Sequence, residues 1–237
     1  MNRLHDNSIS LEPENHRYIL KDDPDFKFLS STRFVHGFFE PFDREAIATK
    51  LVGLPKYAGF TKEDLFNEWT LSATIGTKIH EELEIYVRDS TPPGHKKSIV
   101  GVEWLTSNIP DSCKLYPEVS IYSKEIGMAG TIDLLVHNTD NDKYTIIDWK
   151  TNKKIHKRAY KGKTGTKSAT MDMEDCNFNH YTLQLSLYGY ILETYYNLDI
   201  KNLYLVHLKE DQVVLYDCFY MKRTIKEMLK SRKEDIL

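Results

Sequence analysis

The chain has 237 residues, a formal net charge of −3 and a 41% hydrophobic fraction, which suits one domain with its own core, expected over residues 1–237. Cys113, Cys176 and Cys218 lie far apart, which excludes a disulfide framework, a zinc knuckle and four-cysteine iron–sulfur ligation. No apolar run approaches the roughly 18 residues of a membrane span, and the acid-bearing N-terminus has neither a signal-peptide core nor transit-peptide character. A soluble intracellular protein, of a phage or bacterial cytoplasm rather than an organelle, is the expectation.

Residues 1–60 read as an N-terminal segment of helical and extended pieces: a strand at 16–20, a segment over 33–39 capped by Ser31-Thr32, and a short helix over 43–51. The first long helical pattern covers 61–90, where Leu65, Trp69, Ile75, Ile79, Leu83 and Val87 recur near helical spacing. Past Pro92-Pro93-Gly94, a segment around 99–105 leads to strands at 119–122, 130–137 and 144–149, read as a meander with a turn at 138–142. A Leu- and Tyr-rich helix over 180–197 follows. Strands at 203–208 and 213–220 then flank a turn at 209–212, and residues 221–237 form a closing helix. This order predicts an α/β fold with a central mixed sheet flanked by helices, its core over 61–220.

The stretch 130–150 carries the chemistry. Asp133 and Asp148 each follow short apolar strand runs, and Lys150 lies two positions beyond Asp148 on the same face. A hairpin brings the two carboxylates close enough to share a hard cation. The ammonium then points into the same space, able to hold a water and to offset charge on a phosphate. Asp25-Phe26-Lys27 is a similar triplet with no strand before it and no partner acid. Glu118 heads the strand that enters the meander. His80 shares a helix face with Glu84, and Gln184 shares one with Tyr188; an amide in that apolar row needs partners.

Between Lys150 and Lys167 the chain carries eight Lys and Arg and no acid. Lys153, Lys154, Lys157, Arg158, Lys161 and Lys163, with Tyr160, Phe178 and Tyr181 nearby, are expected to engage a nucleic-acid strand by charge and stacking. No Gly-x-x-x-x-Gly-Lys-Ser/Thr loop is present, so no helicase motor is expected in this chain.

Gly76-Thr77-Lys78-Ile79-His80-Glu81-Glu82, Gly130-Thr131-Ile132-Asp133, Ile147-Asp148-Trp149-Lys150-Thr151 and Gln184-Leu185-Ser186-Leu187-Tyr188 occur in that order. Together they resemble the motif set of the RecB-type branch of the PD-(D/E)XK nuclease superfamily. Tyr116-Pro117-Glu118-Val119 is similar to the glutamate strand often found ahead of the first aspartate. The matched span, 76–188, is about half the chain, and the likeness is to freestanding phage-type and mitochondrial exonucleases of that branch. The resemblance implies a restriction-endonuclease-like core that binds Mg²⁺ or Mn²⁺ through His80, Asp133, Asp148 and the carbonyl of Trp149. It implies Lys150 as the catalytic lysine and Gln184 and Tyr188 as groups that orient it or contact the nucleic-acid backbone, with Glu118 a supporting carboxylate. The activity implied is that of a metal-dependent deoxyribonuclease, an exonuclease acting on DNA ends or single strands in replication, recombination or repair. The residues by themselves leave open a nucleic-acid-binding module without catalysis, and a ribonuclease.

Overall fold

Along residues 134–149, neighbouring side chains enter two different apolar cores, because the strands that carry them are covered on both faces. The computed structural model describes residue 4, residues 8–12, residue 15 and residues 17–234. An antiparallel hairpin of β1 (Ile9–Glu12) and β2 (Arg17–Leu20) comes first. Next are β3 (Leu29–Ser30), α1 (Ser31–His36), α2 (Arg44–Val52), the long α3 (Lys62–Asp89) and α4 (Lys96–Asn108). The meander follows as β4 (Cys113–Ser123), β5 (Met128–Asn138) and β6 (Lys143–Lys150). The chain ends with α5 (Asn177–Tyr195), β7 (Asp199–Leu208), β8 (Val213–Asp217) and α6 (Lys222–Glu234).

Five strands run across the main sheet in the order β4-β5-β6-β7-β8, and β3 adds a short parallel pairing to β5. The meander is antiparallel, β6 and β7 are parallel and joined through α5, and β8 returns antiparallel. One face packs Leu135, Ile146, Leu203 and Leu205 with side chains of α1, α5 and α6. The other packs Leu134, Ile147, Trp149 and Val206 with Ile79 and Leu83 of α3 and Leu105 of α4. This is the α/β arrangement, a mixed sheet flanked by helices, that the order of elements predicts. No described helix is long and apolar enough to cross a membrane.

Local chemistry explains the element ends. Asp43 caps α2 by accepting from the Ala46 N–H at 2.9 Å, and Thr61 and Asp64 form a capping box at the start of α3. The strand expected at 16–20 is β2; its first residue, His16, lies outside the described residues, as do 235–237 of the closing helix. The segment around 99–105 lies within α4, and β8 ends at Asp217, before the expected 220. The strand expected at 119–122 is only the second half of an eleven-residue β4, whose pattern is broken by Pro117 and by Glu118 at φ 48. In α3 the apolar stripe splits. Leu65, Ile79 and Leu83 are buried, whereas Ile75 and Leu71 stand 36% and 59% exposed on a stretch that leaves the core. There Arg44 of α2 lies over the rings of Phe66 and Trp69, at 4.5 and 5.6 Å.

Candidate active site

The inner edge of β5 carries a notch. β3 pairs as far as Ala129 and β6 joins at Leu134, so among the described residues no strand covers 130–133 on that side. Past the Leu134↔Ile147 pair, the backbone N–H of Trp149 donates to Asp133 Oδ2 at 2.8 Å. On the opposite edge, Pro117 pairs with Leu134 and Val119 with Ile132, while Glu118 between them adopts the left-handed conformation. A non-glycine residue there stores strain, here right beside Asp133.

His80 reaches the notch from α3, which Ile79 and Leu83 anchor on the sheet. Its Nδ1 lies 3.5 Å from Asp133 Oδ2. One ligand atom from each of His80, Glu118 and Asp133 falls within 4.8 Å of the others, and the three residues line a cleft of about 1220 Å³. An imidazole with two carboxylates is a donor set that suits Mn²⁺ and, with its oxygens, Mg²⁺.

The electrostatics fit a cation. Burial and the neighbouring Asp133 carboxylate push the Glu118 carboxyl up to about 8. Burial opposes charge on Asp133 too, but His80, Lys150 and the Trp149 N–H outweigh it and hold Asp133 below the usual carboxylate range. For His80, burial is outweighed by Asp133, and its pKa is raised. A divalent ion would offset the burial and the Asp133 repulsion that keep Glu118 protonated.

A pH dependence follows with a definite sign. Glu118 keeps its proton in the folded protein up to about 8, whereas the unfolded chain releases it near the ordinary 4.5. Through that window the unfolded state binds fewer protons, so this group makes metal-free stability fall as pH rises. Denaturant titrations from pH 5 to 8 should therefore show wild type losing stability relative to Glu118→Gln, and added Mn²⁺ reversing the loss. Parallel pH profiles for the two proteins would count against a buried, crowded Glu118.

Asp148 lies outside the group formed by His80, Glu118 and Asp133. Its carboxylate pairs with the Lys150 ammonium, and the two side chains are 5% and 16% exposed. Burial pushes Asp148 up to about 6 despite Lys150, and Asp133 adds to the rise. Burial disfavours the Lys150 charge, but Asp148 and Asp133 outweigh it. Glu118 thus stands beside His80 and Asp133, while the Lys150 ammonium pairs with Asp148. Trp149 contributes an N–H to Asp133 and puts its ring in the core under α3 and α4.

On α5, Gln184 Nε2 donates to Tyr188 Oη at 2.8 Å, and both residues line the cleft. The aromatic next to Lys150 is Tyr181, whose ring centre lies 4.4 Å from the ammonium. Gly130 explains the close approach of Tyr188. A Cβ there would sit 2.4 Å from the Tyr188 ring and 2.7 Å from Ser31 Oγ. Gly76 similarly lets α3 approach the end of β6, its Cβ position being 3.1 Å from Thr151 Oγ1.

Several cations of the basic segment have partners within the molecule. Lys153 lines the cleft but pairs with Glu68 of α3. Arg158 pairs with Glu174 and Lys163 with Glu40. Lys157 lies over the rings of Phe178 and Tyr216, and Lys161 over Tyr160. Lys154, Lys157, Arg158, Lys161 and Lys163 are not among the cleft-lining residues. A run of like charge in sequence cannot reveal which of its members meet an acid from elsewhere in the chain. Lys97, which does line the cleft, went unnoticed in the sequence, as did His207; the signal for His207 was an imidazole inside the apolar run of β7.

No family model matches the chain, and no curated protein matches it. Among solved structures it is similar to one described as the crystal structure of SSO0001, with 13% identity and a TM-score of 0.42 over 88% of this chain and 74% of that one.

Proposed function

We propose that the protein is a divalent-metal-dependent deoxyribonuclease with a restriction-endonuclease-like core, cutting DNA phosphodiesters from ends or in single strands. The observation that carries this reading is the convergence of His80, Glu118 and Asp133 at the notch in β5. The Asp133 carboxylate also touches the strand that bears the Asp148–Lys150 pair. His80, Glu118 and Asp133 would hold the ion, which when bound supplies Lewis acidity toward a phosphate and a lowered pKa for water. Lys150, kept cationic by Asp148 and Asp133, offsets charge that builds on the phosphate. By accepting the Trp149 N–H, Asp133 ties β5 to the stretch of β6 that carries Lys150. Gln184 and Tyr188 form one wall of the cleft, where their polar ends can meet the backbone of a strand.

The test is digestion of end-labelled single-stranded, duplex and circular DNA, with an RNA arm, in Mg²⁺ or Mn²⁺. Shortening of linear DNA from its ends, with circles intact and no cleavage in chelator, is the expected result. Metal-independent binding without cleavage would overturn the proposal in favour of a catalytically inactive module, and preferential RNA cleavage would redirect it to ribonuclease action.

A further inference from the structure

The end of β6 has to place Lys150, and two side chains outside the metal-ligand cluster hold the backbone just beyond it. Lys150 is the last residue of β6 that pairs with β7, opposite His207. Beyond it, His207 Nε2 lies 2.6 Å from the carbonyl oxygen of Asn152, and Lys97 Nζ donates to the carbonyl oxygen of Thr151, also at 2.6 Å. Two consecutive carbonyls leaving the sheet are therefore capped by side chains from β7 and α4. The Asn152 side chain in turn bonds the Lys154 carbonyl at 2.9 Å and reaches the Tyr181 hydroxyl at 3.5 Å, and Tyr181 carries Lys150 over its ring.

His207 is a poor choice for packing alone. It is 2% exposed, between Val206 and Leu208, which are fully buried. Since a carbonyl can only accept, Nε2 carries the proton. Nδ1 is then a buried acceptor with no hydrogen-bond partner. Leaving such an atom unpaired costs stability that a leucine there would not lose. Burial lowers the His207 pKa, in keeping with a neutral ring. Lys97 is held firmly: its own backbone N–H donates to the side chain of His95, the N-cap of α4, and the His95 N–H donates to Glu82 of α3.

We propose that His207 and Lys97 are positioning residues for the proposed cleavage reaction, clamping the Thr151–Asn152 backbone so that Lys150 meets Asp148 and faces the metal-ligand cluster. The inference rests on the nuclease reading for its kinetic consequence and on geometry alone for the clamp. The experiment compares His207→Leu, which loses the N–H, with His207→Gln, whose amide can donate in place of Nε2. Two readouts are taken: kcat and KM on end-labelled DNA, and the Lys150 side-chain signal in lysine-labelled protein by NMR, assigned with Lys150→Met.

The expected result for His207→Leu is a shifted Lys150 signal and a kcat lower by about ten- to a hundredfold at unchanged KM. Affinity for Mn²⁺ by calorimetry should stay the same, and His207→Gln should restore both signal and kcat. A wild-type Lys150 signal in His207→Leu, or no restoration by His207→Gln, would overturn the clamp. Should His207→Leu fail to fold, Lys97→Met against Lys97→Arg is read in the same way. A wild-type protein that cuts no DNA would end the nuclease reading, while the NMR comparison still decides the clamp.

Discussion

Lys150→Met is expected to reduce Mn²⁺-dependent DNA cleavage by at least ~10²-fold, with little change in KM. The substitution keeps most of the apolar stem over Tyr181 and removes the charge that balances Asp148. Stability complicates its reading, because deleting one partner of a buried ion pair strands the other, at a cost of about 3–5 kcal/mol. Asp148 softens that cost, since its carboxyl is already pushed up to about 6 and can take a proton. The double variant Asp148→Asn/Lys150→Met separates the effects. It should regain thermal stability and stay inactive. Single-turnover rates and melting curves on both proteins make the check, and full activity in either would remove Lys150 from the proposed chemistry.

Gly130→Ala should destabilise the fold most sharply among single-methyl changes at glycines near the site. Its new carbon would fall 2.4 Å from the Tyr188 ring and 2.7 Å from Ser31 Oγ, and neither neighbour is free to withdraw. Ser31 is bonded to the Ala129 carbonyl at 3.1 Å, and Tyr188 is 3% exposed and bonded to Gln184. Overpacking of this kind costs about 1–3 kcal/mol, a loss of roughly several degrees in Tm for a chain of this size. Gly76→Ala, which meets only Thr151 Oγ1 at 3.1 Å, should cost less. Equal melting temperatures for Gly130→Ala and wild type would mean that α5 and α1 do not grip β5 in this way.

The meander and the two helices around it were legible because their signals are local: alternating apolar residues between turn-forming stretches, and a long pattern at helical spacing. Local signals also placed Asp133, Asp148 and Lys150 in one neighbourhood, and the resemblance added His80. That Glu118 would join His80 and Asp133, and that Asp148 would pair with Lys150 in the interior, was not legible, since the first depends on a left-handed backbone at Glu118 and the second on burial of the pair. Both arise from tertiary packing. The exposure of Leu71 and Ile75 on α3 was hidden for a related reason: helical periodicity reports an apolar stripe, not whether a partner covers it. The ion pairs of the basic segment were not legible either, because Glu40, Glu68 and Glu174 lie far from their cationic partners in sequence or across a loop.

A helix held on both sides of an opening acts as a beam. α3 is buried at Leu65 near its start and at Ile79 and Leu83 further on, and the fourteen residues from Leu65 to Ile79 span about 21 Å at 1.5 Å per residue. Ser72, Ala73, Ile75, Gly76 and Thr77, which line the cleft, lie between these supports. One wall of the opening is thus a rigid strut, braced at each end, that keeps its line without a partner along its middle.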